Sequence, residues 1–221
     1  MPQSWSFLQR VALLAALAVP LSACMMNNPP SRGEVGAQDL LPTEGVALDV
    51  QQVNVTVPRS LRVSEANTIK PAADIVWHGD SPGDRHQQVQ KITQEAALIG
   101  LQPYHSGYPV VVDVQLTRFH ALTPITRRSI GGSHELEYIL TLRDAATGTV
   151  LHQVTQASAT VRGAGGKQAR AEEAVGRTEK VVVREALAAS MRKELSLASQ
   201  RLGQSNTVAR ASATVAAAQL Q

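Results

Sequence analysis

Leu136, Tyr138, Leu140 and Leu142 alternate with Glu135, Glu137 and Thr141, and this period of two restricts the fold more than any other feature of the chain. Residues two apart on a strand share a face, so the segment is predicted to be a β-strand with one apolar and one polar side. Such a strand needs neighbours in a sheet and a cover over its apolar face. Val112, Val114 and Leu116 repeat the pattern against Asp113, Gln115 and Thr117, in a strand running on toward Phe119. Asp144 to Gly148 has turn chemistry, and Thr149 to Val161 is predicted to return as the hairpin partner.

Upstream, Val46 to Val57 is β-branched, but Val53, Val55 and Val57 are out of phase with Leu48 and Val50. A bulge at Gln51-Gln52 reconciles the two phases. Asp74 to Trp77 is a short apolar strand, after which Ser81-Pro82 supplies N-cap and first-turn chemistry for a helix with Val89, Ile92, Ala96 and Ile99 on one face and Gly100 as its stop. From about Gln168 to Leu202 a single long helix is predicted, with a stripe of Leu187, Met191, Leu195, Ala198 and Leu202. The expected fold is α+β, a two-layer sandwich in which a mixed or antiparallel sheet of about four or five strands carries two helices on one face.

The first 23 residues read differently. Arg10 is their only charge, Val11 to Val19 is uncharged, and small residues precede Cys24. An apolar run of about nine residues is far short of the roughly 20 that a membrane-spanning helix needs, so residues 1–23 are expected to be an export signal. Leu21-Ser22-Ala23-Cys24 resembles the lipobox of bacterial lipoproteins. The resemblance implies a diacylglycerol thioether on Cys24, cleavage before it and acylation of the new amine, a multi-chain anchor that releases very slowly. Cys24 is the only cysteine, so no internal disulfide competes for it. In the enteric pattern an Asp after the cysteine retains such proteins at the inner membrane; Met25 stands there, which points to the outer membrane, facing the periplasm.

The remaining segmentation follows. Residues 24–45, rich in Pro and Gly, are expected to be the lipidated N-terminus and a flexible tether. Residues 46–203 form the domain, and 204–221, mostly Ala, Ser, Thr and Gln, a disordered tail. Asp74-Ile75-Val76-Trp77-His78-Gly79-Asp80, Pro82-Gly83-Asp84-Arg85 and Gly131-Gly132-Ser133-His134 resemble an uncharacterised lipoprotein family of alphaproteobacteria over Val46 to Leu202. In element order the chain is also similar to auxiliary lipoproteins of envelope transporters, although fold does not imply function.

No familiar catalytic motif emerges. The histidines at 78, 86, 105, 120, 134 and 152 lack metalloprotease spacing: His134-Glu135 begins a zincin motif, but Tyr138 occupies the second histidine's place. Gly131-Gly132-Ser133-His134 lacks the second glycine of a nucleophile elbow, and on a strand Ser133 and His134 would face opposite ways. Gly163 to Gln168 departs from a phosphate loop at both ends and reads as a strand-to-helix connection. The acids of the Asp80, Asp84, Arg85 and His86 cluster are explained by helix capping and dipole compensation. Arg127-Arg128 is expected in a basic flexible loop, either solvated or in contact with anionic headgroups or an acidic partner.

With net charge +3 and five aromatic residues left after the signal, the chain does not read as a nucleic-acid binder. No catalytic, cofactor-binding or metal-binding residue is assigned. The expected partners are membrane lipid through acylated Cys24 and another envelope protein. The expected role is a non-catalytic accessory module, with a small envelope hydrolase or lipid-modifying enzyme as the alternative.

Overall fold

The computed structural model describes residues 45–218, with 207–218 as backbone only. The expected signal, Cys24 and the tether through residue 44 lie outside the described residues. Within them the order is β1 (Leu48–Thr56), β2 (Ile75–Val76), α1 (Arg85–Leu101), β3 (Tyr108–His120), α2 (Pro124–Arg128), β4 (Gly132–Asp144), β5 (Val150–Ser158), β6 (Val161–Gly163), α3 (Gly166–Ala174) and α4 (Glu179–Ala218).

The two 13-residue strands β3 and β4 pair antiparallel at the centre of a six-stranded mixed sheet. β1 and the short β2 share the outer edge of β3, both parallel to it. β5 and the short β6 share the outer edge of β4, both antiparallel. The expected bulge is present, as a register shift between Val50 and Gln52 that brings Leu48 and Val50 onto the core side with Val53, Val55 and Val57. In the β4–β5 turn the Asp144 carboxylate accepts the backbone N–H groups of Ala146 and Thr147, an Asx-type turn.

One sheet face is dry. Val110, Val112, Val114 and Leu116 from β3 and Leu136, Tyr138, Leu140 and Leu142 from β4 are buried beneath α1 and α4. Each such aliphatic side chain contributes roughly 1.5–3 kcal/mol by leaving water. The opposite face is polar: the Asp113 carboxylate accepts Asn54 Nδ2 at 2.9 Å and Arg143 Nε at 2.7 Å. The α4 stripe is as expected, with Leu187, Met191, Leu195 and Ala198 buried and Leu202 packed against them.

Four boundaries differ from the sequence reading. The cap of α1 is Asp84, whose carboxylate accepts Gln87 N–H at 3.2 Å, rather than Ser81; the Ser81 and Asp80 carbonyls instead accept Arg85 Nη1. Gly100 does not end α1, which runs to Leu101, and Ile99 is exposed while Leu101 is buried. A Cβ on Gly100 would lie 2.4 Å from the Ala188 carbonyl oxygen, so this glycine lets α1 and α4 touch backbone to backbone.

The predicted single C-terminal helix is two helices. Gly176, with φ of 79°, closes α3: its N–H bonds Glu173 O, and Arg177 N–H reaches Glu172 O, the paired bonds of a Schellman motif. Thr178 then caps α4 through Val181 N–H. At the other end α4 runs to Ala218 through residues expected to be an unstructured tail. Their alanine content supplies the strongest intrinsic helix propensity, which outweighs missing caps.

The α1–α4 contact yields a prediction. Gly100→Ala should destabilise the domain by roughly 1–3 kcal/mol through overpacking, despite raising helix propensity. Urea unfolding would show a lower midpoint; an unchanged or higher one would contradict the close contact.

Candidate functional site

Beyond the C-terminal ends of β2 and β3, α2, α3 and the first turn of α4 surround a cleft of about 550 Å³, together with His78-Gly79 from the segment after β2. Each wall is locally fixed. Thr123 caps α2 by accepting Thr126 N–H, and Pro124 takes the first helical position. The Thr123 and Thr126 hydroxyls donate to the Thr68 and Ile69 carbonyls at 2.7 and 2.8 Å, tying α2 to the loop that precedes β2. Trp77, fully buried and edge-on to Phe119 at 5.6 Å, donates its indole N–H to Asp80, whose other carboxylate oxygen accepts Lys180 Nζ at 2.7 Å. That link ties the start of α4 to the segment after β2.

Three side chains at this end of the molecule are almost wholly withdrawn from water. Arg127 is 9% exposed, Glu179 7% and His134 0%. Arg127 Nε donates to Glu173 at 2.9 Å, while its Nη2 has no hydrogen-bond partner. His134 Nδ1 accepts the Leu122 N–H at 3.3 Å, which leaves the neutral ring's proton on Nε2, and lies 3.5 Å from Glu179 Oε1. A Cβ on Gly163 would come within 2.5 Å of His134 Nε2, so that glycine makes room for the ring. Among the described residues, five buried side-chain polar atoms lack a partner, and four belong to His78, Arg127, His134 and Glu179. Each unmet buried group costs on the order of 1–3 kcal/mol, so their concentration here marks the region for something other than stability.

Burial dominates the protonation of the pair. It pushes the Glu179 carboxyl up to about 7, against the pull of the Arg127 charge and the Leu122 N–H. It pushes the His134 imidazole down to about 4, and the Arg127 charge acts in the same direction. Near neutrality His134 is therefore uncharged and Glu179 close to half protonated. Burial also lowers the His78 imidazole. At the rim, Lys180 pairs with Asp80, whereas Arg128 and Arg170 are exposed and form no ion pair among the described residues.

Arg127 and Arg128 lie on the helix α2, not in the flexible loop expected for them; Thr123-Pro124 is the start signal that the sequence reading passed over. Arg127 turns inward and only Arg128 presents its charge to solvent. Ser133 is exposed and His134 buried, so the two do face opposite ways. Asp113 sits on the polar sheet face, and the structure unites neither Ser133 nor Asp113 with His134. Asp84 is the α1 cap, and Arg85 is buried with two bonds to Glu65 at 2.7 and 2.9 Å. Gly163 to Gln168 is a strand-to-helix connection whose Gly165 lies against the Gly131 backbone. Among the described residues no group of three His, Cys, Asp or Glu could hold a metal ion.

Glu179, Glu173, Arg170 and Lys180 were not singled out from the sequence. They lie within the helix-forming stretch and come together only through the turn at Gly176. The one available signal was that turn: Gly176 followed by Thr178-Glu179 is a stop and a start.

Fold and site together define an α+β domain with a basic, half-enclosed cleft at one end of its sheet. The chain belongs to a family of unknown function, DUF6778, whose model matches residues 48–211. No curated protein matches the chain. Among solved structures it is similar to a DUF330 protein from Xanthomonas campestris, with 11% identity, a TM-score of 0.42, and coverage of 73% of this chain and 90% of that one. A candidate lipoprotein from Caulobacter crescentus has 18% identity and a TM-score of 0.32, covering 56% and 84%. The PelC dodecamer from Paraburkholderia phytofirmans has 16% identity and a TM-score of 0.32, covering 67% and 91%.

The Glu179–His134 pair gives opposing pH dependences. Glu179 holds its proton more tightly folded than unfolded, so its contribution is full below about pH 4.5 and is lost as pH rises through 7. His134 holds its proton less tightly when folded, so its contribution is present above about 6.5 and lost as pH falls toward 4. Glu179→Gln removes only the first effect. Relative to the parent, the variant should therefore gain roughly 2–3 kcal/mol of stability between about pH 5 and pH 8 in denaturant titrations. An equal difference between the two proteins at both pH values would refute the buried, proton-holding carboxyl.

Proposed function

We propose that this chain is a lipoprotein anchored through acylated Cys24, held at the outer membrane on its periplasmic side, whose domain is a non-catalytic binding module serving another envelope component. The anchor reading draws on Leu21-Ser22-Ala23-Cys24 behind a short uncharged apolar run. Among the described residues no helix is long and apolar enough to cross a membrane, and attachment through Cys24 needs none.

The binding reading is carried by one observation: the cleft gathers hydrogen-bonding groups that the fold leaves unsatisfied. Unsatisfied polar groups beside a cleft favour an occupant whose own polar atoms complete their bonding. An auxiliary role beside an envelope transporter is the most specific form of this proposal. A second reading, a small hydrolase or lipid-modifying enzyme, has Glu179 in its favour, since a carboxyl near neutrality beside a cleft suits a general base.

Two measurements test these readings. Cys24→Ser should abolish incorporation of labelled lipid and alter processing; normal labelling of that variant would end the anchor proposal. A photo-cross-linker placed at Arg128 in cells should trap a reproducible envelope protein. Absence of any reproducible partner, while the purified chain turns over a lipid or glycan substrate, would replace the binding reading with the enzymatic one.

A further inference from the structure

The cleft also says what class of group it would hold. Its charged walls come from separate elements: Arg127 and Arg128 from α2, Arg170 from α3, and Lys180 from α4. Existing pairs account for part of this charge, Glu173 on Arg127 Nε and Asp80 on Lys180. What remains is Arg127, more than nine-tenths buried yet lining the cleft with Nη2 unpartnered, and at the rim the guanidinium groups of Arg128 and Arg170, which form no ion pair among the described residues. Thr178, the cap of α4, and Lys180 line the same cleft, so the positive end of a 40-residue helix lies beside these arginines.

Guanidinium donors converging from different elements suit a tetrahedral, multiply charged oxyanion better than a planar carboxylate, which one arginine satisfies in bidentate fashion. Below about pH 7 Glu179 does not oppose such a ligand: burial keeps its carboxyl protonated there, and an acid O–H is a donor.

We infer that the cleft between α2, α3 and the start of α4 is a phosphate-binding site, in which Arg127 grips the phosphoryl group from below and Arg128 and Arg170 close on it from the rim. This deepens the binding reading without depending on the anchor, since phosphate binding is measured in solution and lipidation by labelling; either can fail alone. The phosphoryl group has two possible sources, a phospholipid headgroup or a soluble phosphate compound.

The experiment uses the purified full chain in detergent, with inorganic phosphate as the probe and chloride at matched ionic strength as the control. Calorimetric titration should show saturable binding. Arg128→Ala and Arg170→Ala should each weaken it about threefold to tenfold, and Arg127→Met by more than tenfold. Should Arg127→Met fail to fold, the two rim variants, which truncate exposed side chains, decide the matter.

Flotation of the Cys24→Ser chain with phosphatidylcholine vesicles, with and without phosphatidylglycerol, separates the sources. Capture by the anionic vesicles that both rim variants abolish, without saturable inorganic phosphate binding, assigns the headgroup. Saturable inorganic phosphate binding assigns a soluble phosphoryl compound. Binding in neither arm, or binding that all the arginine variants leave unchanged, overturns the site.

Discussion

Two 13-residue strands that are apolar on one face only set the terms for everything else in this domain. A sheet of that kind is stable only if its dry face is sealed, and the seal here is made by α1 and α4. Two helices side by side can cover the face fully only if they approach closely, which is why Gly100 faces the Ala188 backbone. The link from Trp77 through Asp80 to Lys180 then fixes where α4 begins. From that placement come the position of Glu179 and the wall of the cleft.

Much of this was legible in the sequence because alternation reports directly on burial. The paired patterns around Val112 to Leu116 and Leu136 to Leu142, the bulge at Gln51-Gln52 and the stripe from Leu187 to Leu202 all follow from which side chains must avoid water. What could not be read was decided by single backbone positions. Ser81-Pro82 and Asp84 are both plausible helix starts, and the tertiary fold used the Ser81 and Asp80 carbonyls for Arg85 instead. Gly176 lies within a stretch of helix formers, and its left-handed φ is what separates α3 from α4. The cleft was invisible for the same reason: its walls come from three separate stretches of chain, around His78, around Arg127 and from Gly166 to Lys180, and no spacing rule connects them.

Arg127 shows how a sequence reading and a structure can agree on a residue and differ on its meaning. As one of two adjacent basic residues it suggested solvated charge. In the fold its guanidinium is buried, half satisfied by Glu173, and close enough to depress His134 and oppose the protonation of Glu179. A domain built only for stability would replace such a trio with aliphatic side chains, because desolvating charge costs more than partial pairing returns. Among the described residues, four of the five buried polar atoms without a partner gather at this end of the sheet, the pattern expected where a fold carries its function.

The path of α4 has a spatial consequence. The chain enters the domain where Val46 N–H bonds the Ser199 carbonyl, far along α4, whereas the cleft is built on Thr178, Glu179 and Lys180 at the helix's first turn. At 1.5 Å per residue those points are separated by roughly 30 Å along the helix axis. The described chain thus enters the domain toward one end of the packed part of α4 and presents its cleft at the other, so whatever fills the cleft is met on the side away from residue 45.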